Sequence, residues 1–220
     1  MIQVQNVSKS FGAVPAVINA NLEIGEREVI TLRGASGCGK TTLLRLIAGL
    51  EEPQAGEIHI DGRLASAPRK TLLAPHERGL GMVFQNTALW PHLTVAQNIL
   101  YGVKDGSTKD QHMLLHLLLE QLGIAELAGR YPGEISGGQA RRVALARALA
   151  PQPHYLLMDE PLVNLQPELR ANLLTFTLDW VRDHGASLLY VSHDPAEVDQ
   201  IPGRQFSMQD GRLQETGITP

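Results

Sequence analysis

Hydrophobic and polar positions alternate in short runs at both ends of the chain, and this pattern predicts a sheet that is interrupted by helices. Strands are expected where apolar or β-branched residues alternate or cluster between turn residues. Gly12 and Gly25 separate the first three runs, and the last pair of runs turns at Asp210-Gly211. The predicted strands cover residues 2–7, 16–22, 28–32, 56–62, 80–84, 155–158 and 187–192.

The apolar spacing changes from two to nearly four between residues 86 and 150, which is typical of helices. Leu115, Leu118, Leu119 and Leu122 would share one helical face. Thr94 is suited to cap a helix that ends near residue 101. Other helices are predicted at 42–48, 140–150 and 167–183, and the polar, proline-marked stretch 63–77 is predicted as a loop.

These elements predict one α/β domain over residues 1–220, with a mostly parallel central sheet and an antiparallel β portion. Residues 1–85 and 154–220 would form the sheet core, and residues 86–153 an inserted helical subdomain. The net charge of −4 argues against a broad nucleic-acid surface. Cys38 is the only cysteine, which excludes an internal disulfide. No signal peptide is expected, and the most apolar stretch, 113–119, is too short to span a bilayer.

A glycine-rich stretch between the strand at 28–32 and the helix at 42–48 fits the phosphate-loop pattern G-x-x-x-x-G-K-[ST] at every specified position. Glycines let backbone N–H groups curl around phosphate oxygens, and the helix N-terminus attracts the anion. Lys40 can reach the outer phosphates of a nucleotide, and the Thr41 hydroxyl can bind Mg²⁺. A chance glycine turn is the alternative, which the flanking strand and helix disfavour. The expected nucleotide-binding residues here are Gly34, Ala35, Ser36, Gly37, Cys38, Gly39, Lys40, Thr41 and Thr42.

Further polar residues follow the ends of other predicted strands, where ligands bind in open parallel sheets. Asp159 comes after four apolar residues and is a candidate Mg²⁺ ligand, direct or through water. Glu160 could orient or deprotonate an attacking water, and His193 could donate a hydrogen bond to a γ-phosphate. A solvated acidic turn and a helix-capping histidine are the respective alternatives. Gln85 ends the strand at 80–84 and completes this set.

A second helix N-terminus with exposed glycine N–H groups is predicted at Ser136, Gly137, Gly138 and Gln139. One chain would then hold one phosphate loop and two anion-binding helix ends. A head-to-tail homodimer would give the second helix end a function, because the second surface of each chain would close the nucleotide site of the other. An ordinary glycine-rich helix start is the alternative. Phe11, on the first turn, could stack on a purine ring or pack in the core.

In this order, the motifs resemble those of the nucleotide-binding subunit of ABC transporters over nearly the whole chain. Residues 34–41 resemble its Walker A motif, 155–159 its Walker B motif, and 135–139 its signature motif, with Ile135 where leucine is usual. The resemblance implies ATP and Mg²⁺ as cofactors, with Thr41, Gln85 and Asp159 at the metal. The resemblance also implies that Glu160 is the catalytic glutamate, His193 the switch histidine and Gln85 the Q-loop glutamine. Phe11 would be the adenine-stacking aromatic, and Lys40 would also be catalytic.

Residues 90–95 and 131–134 resemble those of bacterial importer ATPases, especially short subunits of the thiamine, iron and polyamine type. The resemblance implies ATP hydrolysis coupled to transport at the cytoplasmic face of the inner membrane. Permease subunits would contact residues 85–101, and a solute-binding protein would belong to the same system, with no role for nucleic acid. The extra C-terminal regulatory domain of many importers is not expected.

One segment departs from the family pattern. Val163-Asn164-Leu165-Gln166 stands where Ser-Ala-Leu-Asp is usual. Gln166 is a poorer helix cap than aspartate, by about 1 kcal/mol, so communication across the dimer is in question. The other functions considered are a non-transport ABC ATPase, a small-molecule kinase and a weakly hydrolysing, nucleotide-gated partner.

Overall fold

The computed structural model describes residues 1–104 and 106–219 and contains two sheets on either side of a central helix. The first sheet is antiparallel throughout, in the order β2-β1-β4-β5-β6. Its strands are β1 (Ile2–Phe11), β2 (Val14–Ile24), β4 (Ala55–Ile60), β5 (Arg63–Ala67) and β6 (Lys70–Thr71).

The second sheet has the order β11-β10-β3-β9-β8-β7, and the five strands from β10 to β7 are parallel. Only β11 runs antiparallel, in a hairpin with β10. This sheet therefore brings the carboxyl ends of its parallel strands to one edge, as predicted. Its strands are β3 (Val29–Arg33), β7 (Leu80–Val83), β8 (Tyr155–Asp159), β9 (Ser187–Ser192), β10 (Gly203–Gln209) and β11 (Arg212–Thr219).

The helices follow the predicted spacing closely. Thr94 caps its helix through a reciprocal capping box with Gln97, and Pro167 opens a helix that ends at Asp183; both features were predicted. The helix expected at 140–150 begins earlier, at Gly137. The helices are α1 (Lys40–Ala48), α2 (Val95–Leu100), α3 (Thr108–Gln121), α4 (Gly137–Leu149), α5 (Pro167–Asp183) and α6 (Pro195–Val198), with 3₁₀ turns at Pro75–Glu77, Ala125–Leu127 and Pro132–Glu134.

The prediction of a loop at 63–77 was wrong for most of that stretch. Strands β5 and β6 and a 3₁₀ turn occupy it. Ala65 and Ser66 are fully buried, although their small and polar side chains give no alternating pattern. The first two strands also extend beyond their predicted bounds, so that Phe11 is the last residue of β1.

Two hydrophobic clusters fill the interior. One lies between the two sheets around α1, whose Leu43, Leu44 and Ile47 are fully buried. The other joins α2, α3 and α4 to α5 and to one side of the parallel sheet. Leu118, Leu119 and Leu122 are buried in this second cluster, with Leu115 packed against it, so the predicted apolar face of α3 is confirmed.

None of the helices within residues 1–104 and 106–219 combines the length and the apolar character that a membrane crossing requires.

Candidate nucleotide-binding and catalytic site

The glycine-rich loop joins β3 to α1 at the carboxyl edge of the parallel sheet. Gly39 precedes the helix with φ of 115°, a conformation that strongly favours glycine. A Cβ atom at Gly39 would lie 2.0 Å from the carbonyl oxygen of Ala16 on β2. The turn of the last hairpin supports the loop from another side, because the Gly211 N–H donates to the Cys38 carbonyl at 3.0 Å. The loop is therefore held by both sheets.

Lys40 and Thr41 point into the loop and toward Asp159. The Lys40 ammonium donates to the carbonyl oxygens of Gly34 at 2.7 Å and Ala35 at 3.0 Å. Burial raises the pKa of the Asp159 carboxyl, and the Glu160 charge adds to this effect, while a hydrogen bond from Thr41 and the charge of Lys40 oppose it. Asp159 is 2% exposed. A buried carboxylate that is destabilised in its charged form is suited to hold a cation.

Glu160 lies at the centre of a second cluster. Its carboxylate accepts a hydrogen bond from the Gln85 amide at 3.4 Å and lies 3.1 Å from His193 Nδ1. The Glu160 backbone has φ of 49°, and its N–H donates to the Val191 carbonyl at 3.0 Å. The turn after β8 thus directs a nearly buried carboxylate toward the residues that follow β7 and β9.

A network behind His193 fixes the loop after β9. Arg170 of α5 contacts Asp194 at 2.8 Å and Glu197 at 3.4 Å. Glu197 also accepts hydrogen bonds from the hydroxyls of Tyr190 at 3.1 Å and Ser192 at 2.7 Å. His193 itself remains half exposed, so the network holds its backbone while leaving the imidazole accessible.

Phe11 is 50% exposed, which rules out the core-packing alternative for this residue. Its ring lies under the Lys9 ammonium, 5.3 Å from the ring centroid. It therefore offers an accessible aromatic surface close to the glycine-rich loop. Phe11 lines one surface cavity together with Gly37, Gly39, Lys40, Thr41 and Thr42.

Ser136 is the N-cap residue of α4, at the predicted helix N-terminus. Its hydroxyl accepts from the Gln139 N–H at 3.3 Å, and the Gln139 side chain accepts from the Ser136 N–H at 2.8 Å. The N–H groups of Gly137 and Gly138 lie in the first turn, which has no preceding turn to supply acceptors. Within residues 1–104 and 106–219, no hydrogen bond or ion pair joins this helix start to the glycine-rich loop. The two predicted anion-binding helix ends therefore make no direct polar contact within the described residues of one chain.

Two arginines that no sequence pattern singled out fasten the loops of this edge. Arg147 donates to the carbonyls of Thr87 and Ala88 at 2.9 and 2.8 Å. Arg141 donates to the Val163 carbonyl and, at 3.4 Å, to the Gln85 carbonyl. Burial lowers the pKa of Arg141, and the nearby Glu160 carboxylate opposes that effect. No local pattern marks such residues, because their acceptors are main-chain atoms more than 20 positions away.

The segment 163–166, whose residues differ from the usual family pattern, also lacks the helix cap that the usual aspartate would provide. Gln166 is the N-cap residue of α5 but makes no capping hydrogen bond. The main chain is held instead, by Arg141 at Val163 and by Arg170 at Leu165, where the distance is 3.3 Å.

The ABC transporter family model matches residues 17–163. The chain is 42% identical over 218 residues to the sulfate/thiosulfate import ATP-binding protein CysA of Gloeobacter violaceus, covering 98% of this chain and 62% of that protein. It is 42% identical to the trehalose/maltose import ATP-binding protein MalK of Thermococcus litoralis, covering 98% and 59%. It is 41% identical to the Fe(3+) ions import ATP-binding protein FbpC of Rhizobium etli, covering 97% and 60%.

The fold is similar to a solved dimeric ATP-binding cassette, MJ0796, in a post-hydrolysis state bound to ADP and Pi. The TM-score is 0.88 at 29% identity, covering 99% of this chain and 98% of that one. The α/β phosphate-loop ATPase fold is therefore confirmed. The chain spans about three fifths of the length of the curated relatives it matches. On the family match and these relatives, the chain belongs to the ABC transporter family.

Proposed function

We propose that this chain is the ATP-binding and ATP-hydrolysing domain that powers an ABC transporter, a bacterial small-solute importer. The observation that carries the proposal is the convergence of Gln85, Glu160 and His193 next to Asp159 and the glycine-rich loop. Such a convergence of polar groups at the carboxyl edge of a parallel sheet is expected of a phosphoryl-transfer site. The whole of residues 1–220 would form this domain, with 86–153 as its helical part.

The residues present fit a nucleotide with Mg²⁺. Residues 34–42 offer backbone N–H groups at a helix start, Lys40 offers a cation for the outer phosphates, and Phe11 offers a surface for the adenine. Asp159, Thr41 and Gln85 offer the hard oxygen ligands that Mg²⁺ prefers when phosphates complete its shell. When bound, the ion would neutralise charge on the β- and γ-phosphates.

Glu160 is suited to the role of general base. In the proposed reaction a water oxygen bonds to the γ-phosphorus, the bond to the β–γ bridging oxygen breaks, and ADP and inorganic phosphate leave. Glu160 takes up the proton of the water. The Gln85 amide and His193 Nδ1 hold its two carboxylate oxygens in place, at 3.4 and 3.1 Å. His193 is also exposed enough to donate to the γ-phosphate.

A head-to-tail homodimer would complete the site. The start of α4, at Ser136, Gly137, Gly138 and Gln139, makes no hydrogen bond to the glycine-rich loop of its own chain within the described residues. Placed on the γ-phosphate side of a second copy, its N–H groups would contact the bound nucleotide. ATP binding would close such a dimer, and hydrolysis would open it.

The proposed partners are permease subunits that receive residues 85–101 and a solute-binding protein of the same system. Trp90 and Tyr101, in that stretch, are 43% and 64% exposed, and their rings pack against each other at a tilt of 41° with centroids 5.5 Å apart. This surface could accept a partner helix. The chain would then lie peripherally at the cytoplasmic face of the inner membrane. The relatives named above carry different solutes in their names, so the proposal names no particular solute.

A weakly hydrolysing, nucleotide-gated partner is the second candidate, because Gln166 leaves α5 without a side-chain cap. A turnover assay separates the two. Phosphate release from ATP and Mg²⁺ is measured for the unaltered chain, for Glu160→Gln and for Glu168→Gln, an exposed glutamate in the first turn of α5 that serves as the matched control.

The ATPase proposal predicts that Glu160→Gln binds ATP normally but turns over about 10²-fold more slowly or worse, as expected on loss of a general base. Glu168→Gln should keep its activity. Full activity in Glu160→Gln would remove Glu160 from its role, and negligible turnover by the unaltered chain would favour the second candidate. Release of ADP without an acceptor would argue against a kinase.

A further inference from the structure

Arg141 connects three segments that the proposed reaction requires. It lies in the second turn of α4, the helix that begins after Ser136. Its guanidinium donates to the carbonyl oxygen of Val163 and, through its other terminal nitrogen, to that of Gln85 at 3.4 Å. One side chain therefore connects α4, whose start would face the partner's nucleotide, to the main chain at Val163 and at Gln85.

The two carbonyls lie close to the catalytic carboxylate. The side chain of Gln85 donates to Glu160, and Val163 follows Glu160 by three residues in the same turn. The charge of the Glu160 carboxylate also acts on Arg141, since it opposes the lowering of the Arg141 pKa by burial. A shift of Arg141 would therefore move the groups that orient the attacking water.

The segment 163–166 depends on such external support. Asn164 has φ of 62°, and Gln166 makes no capping hydrogen bond to α5. Arginine donors hold this main chain near both ends, Arg141 at Val163 and Arg170 at Leu165. These donors fix the carbonyl groups of the segment, although they cannot supply the acceptor that a side-chain cap would offer to the N–H groups of α5.

We propose that Arg141 is a positioning residue for ATP hydrolysis, which keeps Gln85 and the segment 163–166 aligned with the start of α4. This inference rests on the proposed function. Arginine suits the role because its planar fork donates to two acceptors in fixed directions, whereas lysine offers a single flexible ammonium. The glycine-rich loop and Phe11 have no hydrogen bond to Arg141 within the described residues, so ATP affinity should not depend on it.

The next residue provides a matched control. Arg142 lies on the same turn of α4 but donates to the carbonyls of Leu122 and Gly123, at 2.9 and 2.7 Å, at the end of α3. Alanine favours helix strongly, so Arg141→Ala and Arg142→Ala should both retain α4. The melting temperature of each variant measures any general loss of structure.

The experiment measures kcat and KM for ATP with Mg²⁺ for the unaltered chain, Arg141→Ala, Arg141→Lys and Arg142→Ala. Arg141→Ala should lower kcat about 10-fold to 100-fold, as small misplacements of reacting groups do, with KM within about twofold. Arg141→Lys should recover part of kcat, because it restores one donor, and Arg142→Ala should keep kcat near the unaltered value.

An unchanged kcat in Arg141→Ala would overturn the inference while leaving the proposed function intact. So would an equal loss in Arg142→Ala, or a loss that appears in KM instead. If Arg141→Ala does not fold, full kcat in a folded Arg141→Lys would overturn it, and a partial kcat would support it. Absence of hydrolysis by the unaltered chain would refute the proposed function and this role with it.

Discussion

Replacing Arg78 by methionine should destabilise the fold, even though the change removes a buried charge. Arg78 follows the 3₁₀ turn of the first sheet and is 2% exposed. Its guanidinium closes the C-terminal end of α1, the helix that starts at the glycine-rich loop. No carboxylate within residues 1–104 and 106–219 forms an ion pair with it. It donates to the carbonyls of Leu46, Ile47, Ala65 and Leu73 and to the hydroxyl of Ser66, at 2.7 to 3.4 Å.

The magnitude follows from two opposing terms. Burial lowers the pKa of Arg78 from its ordinary 12.5 to about 10, which corresponds to a cost of about 3 kcal/mol for keeping the charge. Methionine would relieve that cost. It would leave the carbonyl oxygens of Ile47 and Leu73 and the hydroxyl of Ser66 without the hydrogen bond that Arg78 donates. Each unsatisfied buried group costs about 1–3 kcal/mol. The net loss should be about 2–3 kcal/mol, which lowers the melting temperature by roughly 5–10 °C in a chain of this size.

Thermal unfolding followed by circular dichroism tests this expectation. Arg63→Met is the matched control, because Arg63 is exposed on β5 and makes no ion pair with any of the described residues. Arg78→Lys should also lose stability, since lysine keeps the charge but lacks the fork of donors. If Arg78→Met melts within about 1 °C of Arg63→Met, the cost of burying the charge offsets the hydrogen bonds and the reasoning is wrong.

Two other substitutions follow from the site. Gln166→Asp should raise basal hydrolysis and stabilise α5 by about 1 kcal/mol, because aspartate can cap the helix; an unchanged turnover in the phosphate-release assay would refute it. Asp159→Asn should raise the melting temperature of the nucleotide-free chain at pH 7.5. Burial raises the pKa of Asp159 in the folded chain. The folded chain therefore loses stability as the pH rises through this pKa and the buried carboxyl becomes charged. The gain should therefore shrink toward pH 4; a gain independent of pH, or a loss at pH 7.5, would contradict this cause.

The local features of the fold could be predicted from the sequence because their causes are local. The glycine-rich loop, the Thr94 cap and the helix opened by Pro167 each depend on residues within a few positions of one another. The convergence of Gln85, Glu160 and His193 was also predictable, since parallel strands bring their carboxyl ends to one edge.

The arginines that fasten the structure could not be predicted in this way. Arg78, Arg141 and Arg147 bind main-chain carbonyls, which every residue possesses, so no residue type in the sequence marks their partners. The strands at 63–71 were missed for a related reason. Their burial comes from pairing with β4 and from contact with Arg78, not from an apolar pattern of their own.

The proposed function requires two copies of this chain to enclose ATP between the glycine-rich loop of one and the start of α4 of the other. This dimer can be detected from the molecular mass of Glu160→Gln, measured by light scattering with and without ATP and Mg²⁺, because slow turnover keeps the nucleotide in place. We expect the mass of one chain without ATP and of two chains with ATP. The mass of one chain at saturating ATP would contradict it.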